Sequence, residues 1–155
     1  MAATFRVTTC ILLTLLLAAC SSAPEAQNRS SASEVSSRAL VLDFYDRFFN
    51  RHDVSAAAVV AEDYKQHNPD LPDGRAALVR YFTEYFASNP QSRVRIIRSA
   101  VEGDLVYLHV HSKNDAEDIG QAVIDIFRVK DGMIVEHWDV IQNVPEYAAN
   151  TNTMF

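Results

Sequence analysis

The sequence predicts an α+β fold: helices first, a mainly antiparallel meander of strands second, with the helices packed on one face of the sheet. Three observations carry this. Apolar residues recur with helical period in the first half of the chain. After Asn89-Pro90 the period changes to strand-like alternation, and the dipeptides Gly103-Asp104 and Asp131-Gly132 punctuate the alternating part as turns.

The chain opens with MAATFRVTTCILLTLLLAACSSAPEAQ, in which a single cation, Arg6, precedes an apolar run from Cys10 to Leu17 and then small residues up to Cys20. That is the pattern of a secretory signal, too short for a stable spanning helix. Leu17-Ala18-Ala19-Cys20 resembles a bacterial lipobox, which implies that residues 1–19 leave as a signal peptide and that Cys20 is lipidated. The alternatives are an ordinary signal peptide or an uncleaved anchor. The lipobox reading expects a lipoprotein of the bacterial cell envelope, on the periplasmic side of the outer membrane, touching the membrane through its lipid only. Residues 20–33, small and polar without an apolar period, read as a flexible tether, and 34–155 as one folded domain.

Both cysteines of the chain precede that domain, which is therefore expected to contain no disulfide, thiol nucleophile or cysteine metal site. Roughly 120 residues suffice for one hydrophobic core. The formal charge of -6 becomes -7 once Arg6 leaves with the signal. An acidic domain with no basic stripe argues against nucleic acid or an anionic membrane face as partner. Arg93, Arg95 and Arg98 lie in a strand-like segment and read as a solvated edge.

Within the domain, Leu40, Val41, Phe44, Tyr45 and Phe48 have the spacing of an amphipathic helix over Val35 to Arg51. A shorter helix is expected from Val54 to Ala61. YKQHNPDLPDG, with two prolines and a glycine, reads as an ordered loop or a short strand plus turn. Asp73 is a candidate cap for the next helix, whose stripe is Leu78, Tyr81, Phe82, Tyr85 and Phe86. Strands are expected near Val94–Ala100, Leu105–Ser112, Gln121–Val129 and Met133–Gln142.

Alternation sorts the polar residues of these strands. If the hairpins keep parity, one face gathers Tyr107, His109, His111, Asp125, Phe127, His137 and Asp139. The other then holds Val106, Leu108, Val110, Ile124, Ile126 and Val140, apolar enough to suggest a homodimer joined through it. A face mixing titratable and apolar groups suits a half-apolar pocket closed by the helices and open to a small molecule. Trp138 falls on the opposite face, as core or dimer packing.

The segments YKQHNPDLPDG (64–74), DIFRVKDGMIVEHWDVIQ (125–142) and NTNTMF (150–155) resemble those of a bacterial SnoaL-like group, predicted aldol-condensation-catalysing enzymes of the nuclear transport factor 2-like superfamily. The resemblance covers essentially the whole domain. It implies a cone-shaped fold with a curved sheet around a pocket, and polyketide-cyclase-type chemistry without a metal or organic cofactor. Asp125 matches the acid/base aspartate that precedes a D-G-K-I-x-E-H-W segment, with Met133 where Lys is commoner. The pocket histidine carries over to His109 or His111. SKNDAEDIG is shorter than the corresponding connection of the cyclases, which argues against a large polycyclic substrate.

Together these readings expect cofactor-independent acid/base chemistry on a small carbonyl compound, of aldol, cyclase or isomerase type, with a non-catalytic small-molecule-binding domain as the alternative. Asp125 is the principal acid/base candidate, because a carboxylate can take a proton α to a carbonyl. His109, His111 and His67 are candidates to polarise the carbonyl or relay protons. Tyr64, Asn68, Tyr107, Phe127, His137 and Asp139 are expected to line the substrate site. His67, His109, His111, Asp125 and His137 would supply enough nitrogen and oxygen ligands for zinc or another transition metal, which is kept as a minor alternative; no close pair has the H-x-x-x-H spacing of a helical metal site, and the main reading expects no metal.

Overall fold

The structure, a computed structural model, describes residues 23–155. The expected signal peptide 1–19 and the lipidation site Cys20 lie outside the described residues. Helix α1 spans Ala23–Tyr45, so the described part of the expected tether is helical and continuous with the domain. Ala, Glu, Gln and Arg in 23–33 are adequate helix formers that extend a helix already nucleated by packing. Most of residues 31–36 remain exposed.

The buried stripe of α1 is Val41, Phe44 and Tyr45, continued by Phe48 in a wide π-type turn, Asp46–Asn50. There the Arg51 N–H bonds the Asp46 carbonyl five residues back, at 3.2 Å. A short 3₁₀ segment, Val54–Val59, follows, its first turn capped by the Asp53 carboxylate on the Ser55 N–H. Chain continuing to Ala61 as helix was expected; instead β1 begins at Val60 and runs to Gln66. Helix α2 spans Arg75–Ser88. Its N-cap is Gly74, at φ 94°, and Asp73 does not cap it. The Asp73 carboxylate instead accepts from the Gln66 backbone N–H at 2.8 Å, tying the loop after β1 to the strand.

Strands β2 (Arg93–Glu102), β3 (Leu105–Lys113), β4 (Gln121–Lys130) and β5 (Met133–Asn143) form the expected meander. The sheet order is β1-β5-β4-β3-β2, antiparallel except that β1 joins β5 in parallel at one edge. β2 forms the other edge, and its Arg93, Arg95 and Arg98 are exposed as expected.

Register decides which side chains meet the helices. Across β3 and β4, Val106 pairs with Phe127, Leu108 with Asp125 and Val110 with Val123. Across β4 and β5, Asp125 pairs with Asp139 and Phe127 with His137. Directly paired residues share a face, so Val106, Leu108 and Val110 lie on the inner face with Asp125, Phe127, His137 and Asp139. Tyr107, His109 and His111 pair with Ile126, Ile124 and Ala122 and lie on the outer face. The sorting by parity is therefore wrong at β3, and the outer face is not uniformly apolar.

The physical reason is the connection between β3 and β4. A one-residue change of register exchanges the two faces of a strand, and this connection is a polar loop rather than a two-residue turn. Its form is held by Asp115 and Asp118 carboxylates on the backbone N–H groups of Asn114, Glu117, Asp118 and Gly120. The register it sets buries Val106, Leu108 and Val110 almost completely. Each such side chain contributes about 1.5–3 kcal/mol, which the imidazoles would not.

Candidate active site

The two helices close over the inner face around a cavity of about 210 Å³. At about 30 Å³ per water in the liquid, it has room for one small organic molecule. Its helix side is aromatic, lined by Phe44, Tyr45, Phe49, Phe82 and Phe86. Phe48, Phe49, Phe82 and Phe86 pack edge-to-face at 5.1–5.6 Å for the pairs Phe48–Phe49, Phe48–Phe82, Phe48–Phe86 and Phe49–Phe82, which fixes this wall. A cluster of polar groups converges on the opposite side, from β1, the loop that follows it, β4 and β5: Tyr64, Gln66, Asn68, Asp125, His137 and Asp139.

Asp125 and His137 are both withdrawn from water there, at 5 % and 7 % exposure. Asp125 Oδ1 lies 2.9 Å from His137 Nε2. Asp125 Oδ2 accepts from the Tyr45 hydroxyl at 2.7 Å. A buried carboxylate without such partners would cost several kcal/mol, so Tyr45 and His137 are what permit it. On the other side of the imidazole, Nδ1 lies 2.9 Å from Gln66 Oε1. Asp139, half-buried beside Asp125, accepts from Asn68 Nδ2 at 2.7 Å. Asn68 Oδ1 in turn accepts from the Asp70 N–H, a side-chain-closed turn that aims the amide inward.

Burial pushes the Tyr45 phenol well above its ordinary range, with the neighbouring Asp125 charge acting in the same direction. Tyr64 is raised for the same first reason, followed by the charges of Asp125 and Asp139. Both phenols therefore remain protonated donors at neutral pH.

Of the residues expected at the site, Asp125, Tyr64, Asn68, Phe127, His137 and Asp139 are brought together around the cavity. His67 is not. Gln66 pairs with His137 across β1 and β5, so alternation turns Gln66 inward and His67 outward. His67 stacks on Trp138 at 4.7 Å and its Nε2 meets Glu136 Oε1 at 2.9 Å. Arg128 lies over the same indole, 5.6 Å from its centroid, so Trp138 is part of an outer-face cluster. Tyr107, His109 and His111 are likewise outside the cavity. Tyr107 donates to Glu102, and the Phe155 ring packs on His111 at 4.2 Å and on His109 at 5.7 Å. His111 Nε2 also donates to the Ile119 carbonyl at 3.0 Å.

Two residues of the site escape the sequence reading, Tyr45 and Gln66. Tyr45 is hidden in the apolar stripe of α1, where its ring packs while its hydroxyl reaches Asp125. Gln66 was legible in principle: once β1 is recognised as a strand, Tyr64, Gln66 and Asn68 fall at alternate positions and share a face.

Among the described residues, Asp125, His137 and Asp139 place potential metal-ligand atoms within 4.8 Å of one another. Hydrogen bonds to Tyr45, His137 and Asn68 already engage these carboxylates, and His137 Nε2 is engaged by Asp125.

Comparison with known proteins follows the same outline. The chain is similar in structure to a "putative ketosteroid isomerase" from Kribbella flavida, with 22% identity, TM-score 0.63, and 76% of this chain and 86% of that one covered. It is similar also to a "putative polyketide cyclase" from Bacillus cereus, with 23% identity and TM-score 0.59 over 68% of this chain and 74% of that one. A SnoaL-like protein of unknown function from Burkholderia thailandensis gives 16% identity and TM-score 0.62 over 71% and 97%. These likenesses show a cone-shaped nuclear transport factor 2-like fold. No curated protein matches the chain in sequence. The SnoaL-like domain profile matches residues 41–137, which run from the buried stripe of α1 to the imidazole at the cavity floor. The chain belongs to the SnoaL-like domain family.

Proposed function

We propose that the cavity is the active site of a cofactor-independent acid/base enzyme that moves a proton α to the carbonyl of a small, largely apolar compound. The observation that carries this is the buried Asp125–His137 pair, 2.9 Å apart, facing the aromatic helix side of the cavity. Asp125 takes the α-proton, the C–H electron pair becomes the C=C of an enolate as the carbonyl π pair moves onto oxygen, and Asp125 returns the proton to carbon while His137 Nε2 holds the carboxylate in place. Aldol condensation, ring closure and double-bond isomerisation all begin with this step. The histidine of this reading is His137 rather than His109, His111 or His67, since it alone among the described histidines lines the cavity.

Exchange of α-protons into D₂O, followed by proton NMR across a panel of small ketones and aldehydes, detects the step without knowledge of the final product. General acid/base catalysis contributes about 10²–10⁴-fold, and Asp125→Asn is expected to lose exchange by that factor. Full exchange in this variant would remove the proposal. A compound held tightly but never exchanged would favour the second reading, a non-catalytic binding domain, which the aromatic wall supports.

The same proposal keeps the lipid anchor at Cys20 in the bacterial envelope, and a homodimer through the outer face of β4 and β5. Ile124 and Val140 are exposed there, at 41 % and 70 %. Light scattering that gives a monomer at high concentration would exclude the dimer.

A further inference from the structure

We infer that Gln66 is the positioning residue that sets the direction of hydrogen bonding in the site, holding His137 as its Nδ1–H form and turning the Tyr64 hydroxyl proton into the cavity as the donor for a substrate's carbonyl oxygen. This rests on the acid/base reading above and assigns the second half of that chemistry, the group that receives the negative charge.

The assignment follows from one backbone amide. The Asn68 N–H can only donate, and it lies 3.0 Å from the Gln66 side-chain atom that also faces His137, so that atom is the oxygen. An amide oxygen only accepts, so His137 Nδ1, 2.9 Å away, carries a proton. The other ring nitrogen, Nε2, faces Asp125 Oδ1 at 2.9 Å. Asp125 Oδ1 and His137 Nε2 then share a single proton, as carboxylate and imidazolium or as carboxylic acid and imidazole.

The other end of the same amide is equally constrained. Gln66 Nε2 donates to the Tyr64 oxygen at 3.2 Å. The Tyr64 proton cannot return along that bond, and among the described residues no acceptor takes it. Tyr64 is 2 % exposed, and it lines the cavity beside Asp125. It is a buried phenol with an uncommitted O–H, at the edge of a site where an enolate would form. When Asp125 takes the α-proton, the electrons move through the new C=C onto oxygen, and the Tyr64 O–H hydrogen-bonds that oxygen without transferring its proton. Preorganised donors of this kind contribute about 10²–10³-fold.

Gln66→Glu separates the two roles. A carboxylate still accepts from His137 Nδ1, but it also accepts from Tyr64, drawing the phenol proton away from the cavity. Imidazole ¹⁵N shifts and the C=O stretch of bound acetophenone read the two ends independently of turnover. The wild type is expected to show neutral His137 protonated at Nδ1, and an acetophenone stretch lowered by hydrogen bonding. Gln66→Glu is expected to keep the Nδ1 proton yet return the stretch to its unbonded frequency, as is Tyr64→Phe, with exchange falling about 10²-fold in kcat more than in KM. Neutral His137 protonated at Nε2, an acetophenone stretch identical in wild type and Tyr64→Phe, or failure of acetophenone to bind would each overturn the inference. Loss of the acid/base reading itself would appear elsewhere, as unchanged exchange in Asp125→Asn.

Discussion

Asp125 shows how a single residue's setting follows from a few neighbours. Its two oxygens are used differently, one by the Tyr45 hydroxyl and one by His137. A hydrogen bond to a charged group is worth about 1.5–3 kcal/mol, so Tyr45→Phe is expected to lower the stability measured in urea by about that amount. A change within a few tenths would mean that Tyr45 holds Asp125 only by packing. Legibility in the sequence divides along the same line. That Asp125 and Phe127 share a face of β4, and His137 and Asp139 a face of β5, follows from alternation; that the two faces coincide is set by the register shift between Arg128 and Val129, since the turn pairs Lys130 with Met133 and without the shift Asp125 would lie opposite Trp138. Tyr45 was not legible, because nothing in a helical apolar stripe distinguishes a phenol that packs from one that also donates.

At the scale of elements, the β3–β4 connection matters most, since its register decides whether imidazoles or aliphatic chains enter the core. Leu108 is 1 % exposed, so Leu108→Ala is expected to cost about 2–5 kcal/mol. His109→Ala, on the outer face, is expected to cost no more than about 0.5 kcal/mol. Equal costs, or the reverse order, would contradict the register. Gly120 ends the connection at φ +86°, where a Cβ would meet the Ser112 carbonyl and the His111 ring. Gly132, at φ +75°, has open space around it. Gly120→Ala should therefore lower the melting temperature clearly more than Gly132→Ala, which carries only the backbone strain of about 1–2 kcal/mol. β1 is the element least legible in sequence, because its pairing with β5 is parallel and distant in the chain. Local pattern shows only a polar, proline-containing stretch there.

For the whole molecule, pH sets two limits on stability. Hydrogen bonding from His67, then from Arg128, holds the Glu136 carboxyl below the usual range. Arg51, then Asn50, does the same for Asp46. A carboxyl lowered by folding contributes stability that is present above its unfolded pKa and is lost as pH falls through the folded value. Urea midpoints should thus decline below about pH 4, and Glu136→Gln should make that decline shallower. Tyr45 and Tyr64 are raised, so their contribution is complete below the unfolded phenol value of about 10 and is lost as pH rises beyond it. Tyr45→Phe should flatten the alkaline limb. An identical limb in the variant would show that the buried phenol is not what fails there.

By itself, the sequence determined the helices and the meander, the cavity they enclose and the strand pair that carries Asp125 and His137, because period and turn chemistry are local properties. It also carries the family, through segments that span the domain. The tertiary structure alone decided which histidine enters the cavity, because that depends on a register closed by the seven-residue loop 114–120 and on a parallel partner strand distant in the chain. The outcome is physical: the register that buries Val106, Leu108 and Val110 leaves His109 and His111 outside, and the same sheet geometry brings Gln66 inward against His137.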